Sequence, residues 1–345
     1  MTIVHNPKKP LYSGQVLTLE EDLVIKGDET GGEDRMFQDI RTLDVDKGGN
    51  IYVLDEQAAN IKVFDGEGHH LRTIGRKGQG PGEFAFPIGV LSTPDQEILV
   101  HDMGQRALKF LDQEGNFLRQ ISIADRFQFS GPRFLGQGRL VGSHLVPAEQ
   151  PLAELKLFDE ALEPAQVLVS LPVRPPPVLN FFAMNSMTGL RWNKLTEDTV
   201  VWGDFLEPEY ALYVHDAAGR HIRTIRREYD PLQISESDKK ALLDKAFNGK
   251  PPPPQWDIRM PDSFPPFSGI SCDDGGRIFV KTHESYAQEG IGSYDLFDAQ
   301  GRYAARLTLE VPLMVLKNGF LYTIVEDEAG YREVKRYRMK WARDV

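Results

Sequence analysis

Phe64-Asp65-Gly66-Glu67-Gly68 is followed along the chain by Leu111-Asp112-Gln113-Glu114-Gly115, Phe158-Asp159, His215-Asp216-Ala217-Ala218-Gly219 and Phe297-Asp298-Ala299-Gln300-Gly301. Successive copies lie 47, 47, 57 and 82 residues apart. Each sits between two short apolar runs, and in four of the five a glycine supplies the positive φ that a tight turn between antiparallel strands demands. A repeat of about 40–50 residues is the size of one four-stranded blade, a unit that cannot cover its own faces and stacks around an axis. The reading is an all-β chain forming a β-propeller of four-stranded blades.

Blade one reads over 39–75, where Ile51, Tyr52, Val53 and Leu54 are apolar at successive positions, so that their strand needs cover on both faces. Blade two reads over 87–123, blade three over 131–171, blade four over 188–227, blade five over 267–309 and blade six over 311–341. Blade six offers three strands, while the run 15–25 near the N-terminus has no blade of its own. Placed as the outer strand of blade six, that run closes the ring and removes an exposed sheet edge. The expected fold is a six-bladed β-propeller forming a single domain over 1–345.

Composition narrows the function classes. Hydrophobic residues make up 41% and charged residues 26%, ordinary for a globular chain, and no run approaches the length of a membrane-spanning helix. The net charge of −11 argues against a nucleic-acid partner, because neutralising phosphates takes a basic surface. The single cysteine, Cys272, excludes an internal disulfide and reads as a buried, inert thiol. Met1 to His5 has no basic segment leading into an apolar run, so no signal peptide is expected in this chain.

Gly75 to Phe86 (GRKGQGPGEFAF), Pro87 to Val90, Asn50 to Asp55 and Ile61 to Asp65 resemble the NHL-type repeat. The chain is similar to bacterial and archaeal six-bladed β-propeller proteins, often lipoproteins and mostly without assigned function. The resemblance is strongest over blades one and two and from Pro265 to Trp341. It implies an exported protein, periplasmic or at the cell surface and lipid-anchored.

Strand direction alternates within a blade, so the loops after the first and third strands share one face. The loops after the second strand and the crossovers between blades share the other. The long connections belong to this second face, where binding residues are expected on loops held by a rigid scaffold. One runs from Leu171 to Met187 and includes Arg174-Pro175-Pro176-Pro177; the other is the insertion 229–266. In the latter, Ser235-Glu236-Ser237-Asp238 is the expected N-cap stretch before a helix over Lys239 to Phe247, stopped by Gly249. Either a cap over the ring mouth or a lid with Trp256 and Phe264 as aromatic contacts fits this stretch.

The ends of the second strands form a ring of corresponding positions: Asp55, His101, His144, Trp202 with Asp204, and His283. Three histidines invite a zinc site, because NHL-type lyases hold a metal with histidines from different blades, and acidic strand ends invite the calcium of propeller lactonases. Arg35, Arg133 and Arg191, near the starts of inner strands, are candidates for an anionic group. Gly75 to Gly82 lacks the Gly-Lys-Ser/Thr ending of a phosphate loop and reads as a crossover. No nucleophile elbow or metalloprotease motif occurs. The expected function is a non-catalytic binding propeller for a protein, peptide or glycan on the long-loop face, with no cofactor. A calcium- or zinc-dependent hydrolase or lyase is the second reading.

Overall fold

The computed structural model describes residues 1–27, 36–123, 130–159, 163–173, 178–183, 188–254, 256–286, 288 and 290–343. Two strands precede the first blade, β1 (Thr2–Asn6) and β2 (Leu17–Ile25). Blade one is β3 (Ile40–Val45), β4 (Ile51–Asp55), β5 (Asn60–Phe64) and β6 (His70–Ile74). Blade two is β7 (Pro87–Ser92), β8 (Ile98–Asp102), β9 (Ala107–Leu111) and β10 (Phe117–Ser122). Blade three is β11 (Ser130–Phe134), β12 (Leu140–Val146), β13 (Leu152–Phe158) and β14 (Pro164–Pro172), followed by the short β15 (Val178–Asn180).

Blade four is β16 (Leu190–Thr196), β17 (Thr199–Asp204), β18 (Ala211–Asp216) and β19 (His221–Arg227). The insertion then carries helix α1 (Glu236–Ala246) and β20 (Asp257–Arg259). Blade five is β21 (Gly269–Cys272), β22 (Ile278–Lys281), β23 (Gly292–Phe297) and β24 (Tyr303–Leu309). Blade six adds β25 (Val315–Lys317), β26 (Phe320–Glu326) and β27 (Arg332–Trp341), and its fourth, outer strand is β2, antiparallel to β27 from Leu17 opposite Trp341 to Ile25 opposite Val334. The ring is therefore closed by strands from both ends of the described chain.

Alternation along β4 explains how blades stack. Ile51 and Val53 pack into the interface with blade six, whereas Tyr52 and Leu54 pack into the interface with blade two. A strand buried on both faces cannot have a polar side, which is why its sequence is continuously apolar. Each of the six neighbouring pairs of blades shares its own hydrophobic cluster, so the core is a ring of wedges rather than a single centre.

The repeated Asp-x-x-Gly turn is part of this stacking. Its aspartate accepts backbone N–H groups within the turn, as Asp298 does from Gln300 and Arg302 at 3.0 and 2.8 Å. Its glycine lies against the outer strand of the preceding blade. At Gly115, with φ +92°, a Cβ would come within 2.9 Å of Ile74, and at Gly301, with φ +82°, within 2.8 Å of Ile225. Glycine is required there twice over, for the left-handed backbone and for the close approach.

Three features depart from the sequence reading. β1 adds a fifth strand to blade four, parallel to β19 from Thr2 opposite Arg223 to Asn6 opposite Arg227. It is anchored by Asn6, whose Oδ1 accepts the Tyr303 N–H at 2.7 Å and whose Nδ2 donates to the Gly301 carbonyl at 3.0 Å. Such a short, mixed-polarity strand carries no periodic signal; its partner decides it. Second, α1 starts at Glu236 rather than Lys239, because Ser235 and Asp238 form a reciprocal capping box that places the N-cap directly before Glu236. The helix buries no residue. Third, β15 and β20 pair in parallel, joining the two long connections. Arg35, Met184 and the triproline 175–177 lie outside the described residues.

Candidate ligand site in the axial channel

The inner strands β3, β7, β11, β16, β21 and β25 surround an axial channel of about 550 Å³. Its lining continues into the turns after these strands, at Lys47, Pro94, Glu197, Asp274 and Asn318, so it opens on the face of the tight turns. Along the wall, Ile88, Leu91, Phe134 and Met314 contribute apolar surface.

The carboxylates of the channel are engaged by the fold. Asp44, buried on β3, accepts the Ser92 N–H at 2.8 Å and the Lys317 ammonium at 2.7 Å, joining blades two, one and six. Asp46 accepts from the Asn50 backbone and side-chain amides and from the Tyr52 hydroxyl. Asp273 pairs with Arg277 at 2.9 Å, and Asp274 accepts the Asn318 N–H at 2.7 Å.

Arg133 stands apart. Its guanidinium donates to the Pro132 carbonyl at 2.8 Å, and no carboxylate lies within ion-pair distance among the described residues. Burial pushes its pKa down, against the more distant attraction of Asp44. Lys194, on β16, pairs with Glu197 at 3.0 Å. Its pKa is also lowered, chiefly by burial, with Glu197 opposing and Lys317 and Lys47 adding a smaller repulsion.

His101 lines the same channel although it belongs to the second strand of its blade. Directly opposite it on the inner strand is Gly89, and a Cβ there would stand 3.5 Å from the His101 Cβ. The missing side chain opens the inner strand. Burial lowers the His101 pKa, Asp102 opposing, so the imidazole is neutral near pH 7.

The three histidines of the zinc reading do not come together. His144 pairs with Lys156, Nδ1 to Nζ 3.4 Å, and lies outside the channel lining. His283 lines a separate cavity of about 320 Å³ with Arg227, Phe264 and Arg306, and stacks on Phe264 at 4.9 Å. Burial pushes its pKa down to about 4. Among the described residues, the group of histidine, cysteine and acidic side chains whose ligand atoms lie within 4.8 Å of one another is Asp65, Glu67 and His69, in an exposed turn.

The acidic strand ends are structural. Asp55 is fully buried and accepts the N–H groups of Gln38, Asp39 and Ala58. Asp204 accepts from Leu206 at 3.0 Å and presses against Gly189, where a Cβ would clash with its carboxylate. Both carboxylates serve the backbone of adjacent loops. Arg191 donates to the carbonyls of Ser268 and Leu190 and covers the Phe205 ring, joining blade four to blade five.

Trp202 stacks on Tyr213 at 4.5 Å and donates Nε1–H to His215 Nδ1 at 3.2 Å within the packing between blades three and four. Phe264 is buried against Phe182, His283 and Tyr286. Trp256 is half-buried in the insertion, its N–H on the Pro253 carbonyl. Sequence reasoning missed Asp44, Lys47, Lys194, Lys317 and Gly89. The available signal was a charged residue at the end of a short inner strand, where one face must look into the channel.

Residues 29–130 match the family model described as a 6-bladed beta-propeller. The chain is a six-bladed β-propeller. Over 86 residues, a quarter of its length, the propeller is 31% identical to the human E3 ubiquitin-protein ligase NHLRC1, of which it spans about a fifth (21%). The match carries NHL-like repeats into this propeller. A protein of Bacteroides fragilis aligns over 98% of the propeller and 100% of its own chain, with 12% identity and a TM-score of 0.57. A member of the duf4221 family from Bacteroides vulgatus aligns over 95% and 99%, with 12% identity and a TM-score of 0.52. At such identities the likeness is one of fold. No helix among the described residues is long and apolar enough to cross a membrane.

Proposed function

We propose that this propeller is a non-catalytic binding module that takes a small ligand into the axial channel from the tight-turn face. The observation that carries this reading is the channel itself, where inner strands of all six blades bring apolar wall and the under-used donors of Arg133 into one concave site. The insert-bearing face, favoured by loop length, presents Phe264 and His283 packed on each other. The separation of His101, His144 and His283 and the backbone amides held by Asp55 and Asp204 favour this reading over a hydrolase or lyase.

A Gly89→Trp variant tests the reading, because the space beside Gly89 accepts a Cβ and the indole would fill the channel next to His101. In a thermal-shift survey of small organic anions, sugars and short peptides, ligands that raise the melting temperature of the native chain are expected to leave the variant unmoved and to be recovered unchanged. A ligand that stabilises both proteins equally, or that is converted, refutes the proposal.

A second reading is protein recognition on the long-loop face, supported by the likeness of 86 residues to the NHL repeats of NHLRC1. Export with lipid anchoring rests on the family resemblance alone, and fractionation of native cells checks it.

A further inference from the structure

Four cations of the channel come from four different blades: Lys47 from blade one, Arg133 from blade three, Lys194 from blade four and Lys317 from blade six. Neighbouring lysines on one strand are usually a solvated face, but these are far apart in sequence and converge only through ring closure. Like charges gathered in a concave, partly desolvated site repel one another, and a bound anion relieves that repulsion.

The lining also carries five carboxylates, Asp44, Asp46, Glu197, Asp273 and Asp274, each of them already engaged by the fold. Asp46 and Asp273 are satisfied by Asn50, Tyr52 and Arg277, outside the cation group. Lys317 shares Asp44, and Lys194 shares the half-exposed Glu197. Among the described residues Arg133 has no carboxylate partner, and Lys47 is exposed at the rim. A guanidinium held in a cavity with most of its donors unused is suited to a planar or tetrahedral oxyanion, which it can meet with two parallel hydrogen bonds.

We infer that the ligand of the channel is a multiply charged oxyanion on an apolar body, its charged head held by Arg133, Lys194, Lys47 and Lys317 and its body lying along Ile88, Leu91 and Met314. This rests on the reading that the channel is the binding site. Phosphate esters and polycarboxylates share the required chemistry. The head meets charge at the turn-face end of the inner strands, and the apolar wall lies beside it.

Calorimetric titration with inorganic pyrophosphate and with citrate tests the inference on the native chain, on Arg133→Met and on Lys47→Met combined with Arg133→Met. Neither Lys47 nor Arg133 forms an ion pair among the described residues, so these variants are expected to melt as the native chain does; Lys47→Glu at the exposed rim is a further check. Binding is expected to weaken at least tenfold in Arg133→Met, further in the double variant, and with rising salt. Tighter binding of pyrophosphate marks a phosphate ester, and tighter binding of citrate a polycarboxylate. Absence of binding by both anions, or unchanged binding in the double variant, overturns the inference, while an uncharged ligand blocked by Gly89→Trp would still uphold the channel reading. Anion binding lost in the double variant but untouched by Gly89→Trp would uphold the cation site and overturn the channel reading.

Discussion

Lys109 and Asp102 lie on adjacent strands of blade two with both side chains fully buried, Nζ 3.8 Å from Oδ2. Asp102 accepts the N–H groups of Ala85, Phe86 and Gly104, and Lys109 donates to the carbonyls of Glu83 and Gly80. Together they hold the crossover from blade one to blade two by its backbone. Burial lowers the Lys109 pKa while Asp102 and Glu83 oppose it.

Removing one member of this pair strands the other in a dry site. Asp102→Ala is expected to cost about 3–5 kcal/mol, because it also orphans backbone donors, and Lys109→Met about 2–4 kcal/mol. The double variant should lose less than the sum of the singles. Urea unfolding of all four proteins checks this, and strictly additive losses would show that the two groups act independently.

Asn6 is expected to matter more than its place near the N-terminus suggests. Its side chain links β1 to the backbone of Gly301 and Tyr303 in blade five, where it is buried. Asn6→Ala should destabilise by about 2–3 kcal/mol, since it leaves a buried N–H and a buried carbonyl without partners. Calorimetry of Asn6→Ala beside the exposed control Thr2→Ala separates this effect from general fraying; equal melting temperatures would rule it out.

Acid should weaken the fold through two histidines. His215 and His283 are both pushed down to about 4, chiefly by burial. In the unfolded chain an imidazole ionises near pH 6.5, so between about pH 6.5 and 4 the unfolded state binds more protons and stability falls as pH falls. His283→Phe, which keeps the ring stack on Phe264, should flatten this dependence. Urea midpoints of the two proteins at about pH 7 and pH 5 decide it, with an unchanged slope counting against a neutral buried His283.

The insertion helix is expected to behave as a separate, weakly held element. α1 buries no residue, so its start depends on the Ser235–Asp238 capping box. Ser235→Ala should cost about 1 kcal/mol locally and leave the global melting temperature within a degree or so. Faster proteolytic cutting within 236–252 at an unchanged melting temperature is the expected pattern; a large global shift would mean that the helix is integral to the ring.

The blade period was legible because it is written in local chemistry. An Asp-x-x-Gly turn needs an aspartate to satisfy its own amides and a glycine at positive φ, and both are readable wherever they occur. The doubly apolar β4 likewise announced neighbours on both faces. Closure by β2 followed from counting strands. The capping role of Asp55 and Asp204 was not legible, because an acidic residue at a strand end looks the same in sequence whether it faces a ligand or a row of backbone amides.

By itself, then, the sequence determined the six-bladed ring, its closing strand and the position of its long connections, all consequences of short-range turn and strand chemistry. Tertiary structure alone decided which face holds the channel and which charges meet there. Lys47, Arg133, Lys194 and Lys317 become neighbours of one cavity only when the ring closes, and His101 reaches it only because Gly89 has no side chain to block the way. Those relationships depend on strands brought together from across the chain, and no local pattern encodes them.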